Sequence, residues 1–275
     1  MIILGHLDAA PALQFTTVIA AVGVIVAALE DLSSIQHFSD NGILSWEIIQ
    51  LESRWSATGR RAAIAHYFLS FPRFKHVLMA RLVSASVLAV LGLFGIVVPL
   101  LLFLVLLSTL TLSIRSFYGQ DGAQQMNLVV FGALFLSALV PPNGVARTSC
   151  LWFIGLQAGL SYLISGANKA ISSRWRDGTG LVGVLGTSIY GHRSAYTFLS
   201  DRPVLAGILS WTVIVFECGF CTVFLVGYKY QLAILAAGAL FHASTAILMG
   251  LNGFFFAWLA TYPAVLYIAG GLRHL

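Results

Sequence analysis

The stretch VLMARLVSASVLAVLGLFGIVVPLLLFLVLLSTLTL, Val77–Leu112, decides the fold. It carries a single charge, Arg81. A bilayer-crossing helix needs about 20 consecutive apolar residues, so the stretch is long enough for two of them. Gly92, Gly95 and Pro99 interrupt it and mark the reversal between them. Its unbroken Leu, Val and Ala runs lack the period-2 alternation of transmembrane β-barrel strands. These residues predict an all-α fold, a polytopic transmembrane helical bundle.

The pattern recurs outward in both directions. Eight spans are expected, at roughly Pro11–Glu30, His76–Phe94, Ile96–Ile114, Met126–Pro142, Ser149–Ala167, Pro203–Val226, Gln231–Met249 and Leu251–Ala269. Together they read as one transmembrane domain over residues 1–275. Charged residues make up 9% of the chain, against about a quarter in soluble proteins. With 59% hydrophobic residues and mean hydropathy +0.90, that excludes a soluble enzyme, a disordered chain and a nucleic-acid module, despite the net charge of +5. The expected partner is the lipid bilayer, with no nucleic acid. Met1–His6 shows no basic n-region or cleavage site, so the first span is expected to serve as the insertion signal.

Two segments, Asp31–Lys75 and Asn168–Arg202, are too polar to cross. The first contains Trp46-Glu-Ile-Ile-Gln-Leu-Glu-Ser-Arg-Trp55, a mixture of apolar and charged residues that predicts helices lying in the membrane interface. All Lys and Arg except Arg81, Arg147, Lys229 and Arg273 fall in these segments or at Arg115. The positive-inside rule then places that face in the cytoplasm and both termini outside.

Charges inside a span cost about 2.5–3.5 kcal/mol each on insertion scales, so each one needs a reason. Arg81 lies near a span boundary, where its head either snorkels to the interface or serves a site. Glu217 and His242 sit mid-span, each open to two readings: an interhelical hydrogen-bonding group or a functional one. Lys169 ends the fifth span after Tyr162-Leu-Ile-Ser-Gly-Ala-Asn168, whose small residues allow close helix approach. A desolvated lysine there favours its neutral form and can act as a base; the plainer reading is a snorkelling helix-end lysine. Cys218-Gly-Phe-Cys221 lies mid-helix in apolar surroundings and reads as two small core residues rather than a redox pair. The histidines are scattered, and no metal-ligand spacing is present.

Four stretches taken in order resemble the HTTM family, whose fold is that of the transmembrane part of vitamin K-dependent gamma-carboxylases. They are Phe38-Ser-Asp-Asn-Gly42; Tyr162-Leu-Ile-Ser-Gly-Ala-Asn-Lys169 with Arg174-Trp175-Arg-Asp-Gly178; Leu209-Ser-Trp211 leading to Phe216-Glu217; and Phe241-His242 with Gly250-Leu-Asn252 through Tyr262-Pro263. The resemblance implies Lys169 as an active-site base and Glu217, on a neighbouring span, as a second catalytic residue that partners either the lysine or another polar group. It also implies a quinone-lining region at His242, joined by Trp175, Tyr162 and Asn252. The implied cofactor is a reduced quinone such as vitamin K, with carboxylase-like lyase or quinone-linked oxidoreductase chemistry. One carboxylase histidine has no counterpart near Arg115–Gly122, and the soluble docking domain has none among these 275 residues. A peptide substrate or an accessory membrane protein is therefore an expected partner. Stand-alone relatives in bacteria include proteins linked to maturation of secreted peptide toxins. That implies the alternative of a non-catalytic partner for peptide maturation or export, in a bacterial cell membrane.

Overall fold

A computed structural model describes residues 7–52, 59–115, 122–141 and 144–272. Among them there is no strand. The helices are α1 (Ala9–Ser33), α2 (Trp46–Glu52), α3 (Arg60–Leu69), α4 (Arg73–Leu93), α5 (Pro99–Arg115), α6 (Gly122–Leu139) and α7 (Val145–Ile171). They continue with α8 (Ser173–Arg176), α9 (Thr179–Leu185), α10 (Arg193–Ser200), α11 (Pro203–Gly219), α12 (Tyr228–Met249), α13 (Asn252–Leu259) and α14 (Tyr262–Leu272). Seven helical stretches are long and apolar enough to cross a membrane: α1, α4, α6, α7, α11 with its 3₁₀ extension, α12, and α13 with α14. The chain is an all-α, multi-pass helical membrane protein.

The eighth expected span, α5, is shorter at 17 residues. At 1.5 Å per residue it is about 26 Å long, just short of a bilayer core. It starts at Pro99 rather than Ile96, because proline has no N–H to donate and biases the preceding residue away from helix. Two other expected spans are interrupted. The span from Pro203 is α-helical only to Gly219 and tightens into a 3₁₀ turn over Phe220–Phe224. The last span breaks between α13 and α14, where Pro263 lies at the start of the second helix and Thr261 Oγ1 donates to the Trp258 carbonyl at 2.7 Å.

The chain divides into two compact units, Leu13–Cys150 and Met1–Ala12 with Leu151–Leu275. In the first, α4 packs on α5 and α5 on α6. Gln14 Nε2 on α1 donates to the carbonyls of Gly92 and Leu93 at 3.0 and 3.3 Å, tying α1 to the reversal after α4. The segment after α1 closes over a core of Phe38, Trp46, Leu69, Phe74, Leu78 and Leu112. Trp46 is thus a core residue, not an interfacial one, while Ile48 and Leu51 on the same short helix remain exposed. Trp55 and Arg54 of that stretch, Arg273, Pro142 and residues 116–121 lie outside the described residues.

Arg115 holds this core together. Its side chain is fully buried, Nε donates to the Leu69 carbonyl at 3.0 Å, and Nη2 donates to the Phe38 carbonyl at 3.1 Å. The guanidinium also lies 5.2–5.8 Å from the ring centres of Phe74, Phe38 and Trp46. Carbonyl oxygens and ring faces both attract a cation, so they replace part of the water it gave up.

In the second unit, α9 packs on α8, α10 and α11, and α12 packs on α13 and α14. The polar segment after α7 therefore folds into the short helices α8, α9 and α10. Gly178 makes the turn between α8 and α9: its φ of +86° is rarely adopted by L side chains, and a Cβ there would lie 2.5 Å from the Gly207 nitrogen of α11.

Candidate functional site

Tyr162, Ser165, Gly166 and Lys169 recur at three- and four-residue spacing along α7, so they share one face of that helix. Gly166 lets α11 approach this face. A Cβ on it would lie 2.6 Å from the Cys218 nitrogen and 2.9 Å from Glu217 Cβ. Gly159 does the same farther up, under Phe224 and Cys221. Both thiols of the Cys-x-x-Cys stretch are free and pack against α7, Cys218 beside Gly166 and Cys221 donating to the Gly159 carbonyl at 3.4 Å. They act as small residues at a tight helix crossing, as their apolar setting predicts.

The close crossing brings Glu217 onto Lys169. Nζ donates to Oε2 at 2.7 Å, to Oε1 at 2.9 Å and to Ser165 Oγ at 2.7 Å. The Ser165 hydroxyl in turn donates to Oε1 at 3.3 Å. The side chains are 18% and 5% exposed, so the pair is largely removed from solvent. Lys169 does not snorkel as an unpaired helix-end lysine; its ammonium has a carboxylate counter-charge that offsets its desolvation. Lys169 also sits in the last turn of α7, where the helix dipole favours a cation.

Trp175 joins the same cluster. Its ring centre lies 5.2 Å from Lys169 Nζ. The α8 backbone that carries it is anchored to α11 by the Ser210 hydroxyl, which donates to the Trp175 carbonyl. Asp177, two residues on, accepts from the Thr179 backbone N–H at 2.8 Å and from its hydroxyl at 2.6 Å. These bonds hold the exposed Asp177 carboxyl below the usual carboxylate range.

Two turns along α7, Tyr162 organises a second cluster. Its hydroxyl lies 2.7 Å from His242 Nε2 and 3.0 Å from the Tyr262 hydroxyl. A Cβ at Gly238, one turn before His242 on α12, would collide with the Tyr262 hydroxyl and lie 3.2 Å from that of Tyr162. The ring of Tyr162 stacks on Phe220 at 3.8 Å and meets Phe216 edge-on at 5.8 Å. His242 stacks on Trp258 at 5.1 Å, and Trp258 on Phe254 at 4.9 Å. His242 Nδ1 is buried without a hydrogen-bond partner among the described residues. The Tyr162 hydroxyl has one proton to give. Whichever neighbour receives it, Nδ1 is left as a free donor or a free acceptor.

Five of the six expected site residues thus fall in this unit along one face of α7: Lys169, Glu217 and Trp175 at one end, Tyr162 and His242 at the other. The sixth, Asn252, is the first residue of α13, the helix that carries Phe254 and Trp258. Ser165 and the spacer glycines Gly166 and Gly238 are additional parts. Their sequence signal was the small residue at i−3 or i−4 from each polar one. No protein-family model, curated protein or solved structure matches the chain.

Proposed function

We propose that this protein is a quinone-linked membrane enzyme, or the membrane component of one, related to the HTTM family and to the transmembrane part of vitamin K-dependent gamma-carboxylases. The observation that carries the reading is the convergence on α7 of a buried ion pair and a tyrosine–histidine cluster. Residues from 162 to 242 in the sequence supply them. Structural hydrogen bonding alone explains the contacts within each cluster. It does not explain why Nδ1 of a buried histidine, next to a stack of aromatic rings, has no partner among the described residues.

These residues fit a reduced quinone. Flat rings favour a flat ligand, and Nδ1 supplies the one polar contact that a quinol hydroxyl or quinone carbonyl needs. When bound, such a group supplies a redox centre and a proton-accepting oxygen. Lys169 holds the proton at Nζ. Its transfer to Glu217 over the 2.7 Å contact leaves a neutral amine base and a neutral carboxylic acid, with no net change of charge. The Tyr162 hydroxyl bonds to both His242 and Tyr262, a separate hydrogen-bonded group two turns away on the same face of α7.

The test is binding of reduced vitamin K₁ to the purified full chain in lipid nanodiscs, read by quenching of tryptophan fluorescence. Saturable quenching is expected, weakened about tenfold by His242→Phe, which removes a polar contact worth about 1–1.5 kcal/mol. Lys169→Met is expected to bind the quinol normally and to lose its oxygen-dependent turnover. Absence of saturable quenching overturns the quinone reading. Lys169→Met with full function overturns the base and leaves the non-catalytic partner in peptide maturation or export.

A further inference from the structure

The unit formed by Leu13–Cys150, to which no residue of the α7 site belongs, contains a second buried cation besides Arg115. Arg81 on α4 is 4% exposed. It does not snorkel. Nη1 donates to Thr109 Oγ1 at 2.6 Å and to Ser108 Oγ at 3.2 Å on α5. Both hydroxyls donate in turn to the Val105 carbonyl at 2.8 Å, so neither can offer its proton to anything else. Nε has no hydrogen-bond partner among the described residues. Asp31 attracts Arg81 electrostatically, but the two do not reach ion-pair distance.

The guanidinium borders a cavity of about 460 Å³ between α3, α4 and α5. Apart from Arg81, Ser108 and Thr111 its walls are apolar, and Ile64, Phe68, Leu104 and Leu107 stand exposed around it. The Thr111 hydroxyl donates to the Leu107 carbonyl of its own helix. Every polar wall atom but the guanidinium is therefore committed. The volume falls in the range that takes a ligand, roughly 300–1,000 Å³.

We propose that this cavity binds a single-chain amphiphile with a carboxylate head, that is, a long-chain fatty acid, its head on Arg81 and its chain along Phe68, Leu104 and Leu107. One cation at the wall of an otherwise apolar cavity matches one monoanion, and a guanidinium binds a carboxylate by charge-assisted N–H bonds. A neutral lipid would leave Nε unsatisfied in hydrocarbon, at a cost no apolar wall returns.

A photoreactive diazirine analogue of palmitate, cross-linked to the full chain in nanodiscs and mapped by mass spectrometry, tests this. Labelling is expected at Phe68 or Leu107, displaced by oleate and not by methyl oleate. Arg81→Gln is expected to weaken displacement by oleate about tenfold to a hundredfold, the range for a charge-assisted hydrogen bond. Leu107→Trp, which fills the cavity and keeps Arg81, is expected to abolish labelling, and it decides the matter if Arg81→Gln fails to fold. Equal competition by methyl oleate overturns the proposal, since it reduces the cavity to an apolar groove. So does displacement by lysophosphatidate and not by oleate, which assigns the site to a phosphate head. Labelling unchanged in Leu107→Trp overturns it as well.

Discussion

Lys169 and Arg81 are both cations inside apolar helices, and their surroundings differ in kind. Lys169 faces a carboxylate brought by another span, with all three Nζ contacts between 2.7 and 2.9 Å. Arg81 faces two hydroxyls that are already committed to a backbone carbonyl, and its Nε has no hydrogen-bond partner among the described residues. Arg115 is a third case, held by two carbonyls and three aromatic rings, with Nη1 unpartnered among the described residues. A buried ion pair protects each charge by the other, so deleting one member strands its partner. A cation held by neutral groups strands nothing charged when it is removed, and until then it can bind an anion from outside.

The largest expected effect follows from the pair. Glu217→Leu leaves the Lys169 ammonium unpaired at a site 18% exposed, and a loss of about 3–5 kcal/mol is expected in unfolding from mixed micelles. Lys169→Met combined with Glu217→Leu is expected to recover most of that loss. A double variant as unstable as the single one would mean that the pair is not what stabilises the crossing. Arg115→Met comes next. It removes two charge-assisted bonds and leaves the Leu69 and Phe38 carbonyls unsatisfied, so about 3 kcal/mol is expected by the same measurement.

Arg81→Met sharpens the contrast. Ser108 and Thr109 keep their bonds to Val105, so a cost of only about 1 kcal/mol is expected, despite burial as deep as that of Glu217. A loss comparable to that of Glu217→Leu would show that Asp31 is a true counter-ion. The smallest effect is expected at Asp177. Its carboxyl ionises below the ordinary value of 3.8, so its contribution is fully present above that pH and is lost as the pH falls through the folded value. Asp177→Asn should cost a little stability at neutral pH and flatten the acid limb of the pH profile by the same amount. A loss at neutral pH larger than that flattening would mean that the carboxylate matters beyond its bonds to Thr179.

Periodicity and composition reveal most of the architecture because a span must satisfy its own backbone in hydrocarbon, and only an uncharged run of helical length does so. That logic finds all seven long apolar stretches, with ends displaced by up to four residues, most at both ends of α7 and the start of α6, and it misses the 3₁₀ turn after Gly219 and the break before Pro263. It also picks out Lys169, Glu217, His242 and Arg81, since a polar group in an apolar run stands out whatever its partner.

Pairing is a different matter. Nothing in Thr212–Phe220 says that Glu217 meets Lys169, or in Gly238–Thr245 that His242 meets Tyr162. Those contacts depend on how far α7, α11 and α12 can close on one another, which Gly166 and Gly238 set through missing side chains. Trp46 looked interfacial because amphipathic spacing does not distinguish lipid from a neighbouring helix, and Arg115 gave no signal beyond a basic helix end. Sequence alone determined which residues enter the membrane and which of them carry a charge, because solvation in a bilayer is a property of each segment. Only the tertiary structure decided which charge has a counter-ion and which has a cavity, because neutralisation in a low dielectric acts over a few ångströms between segments far apart in the chain.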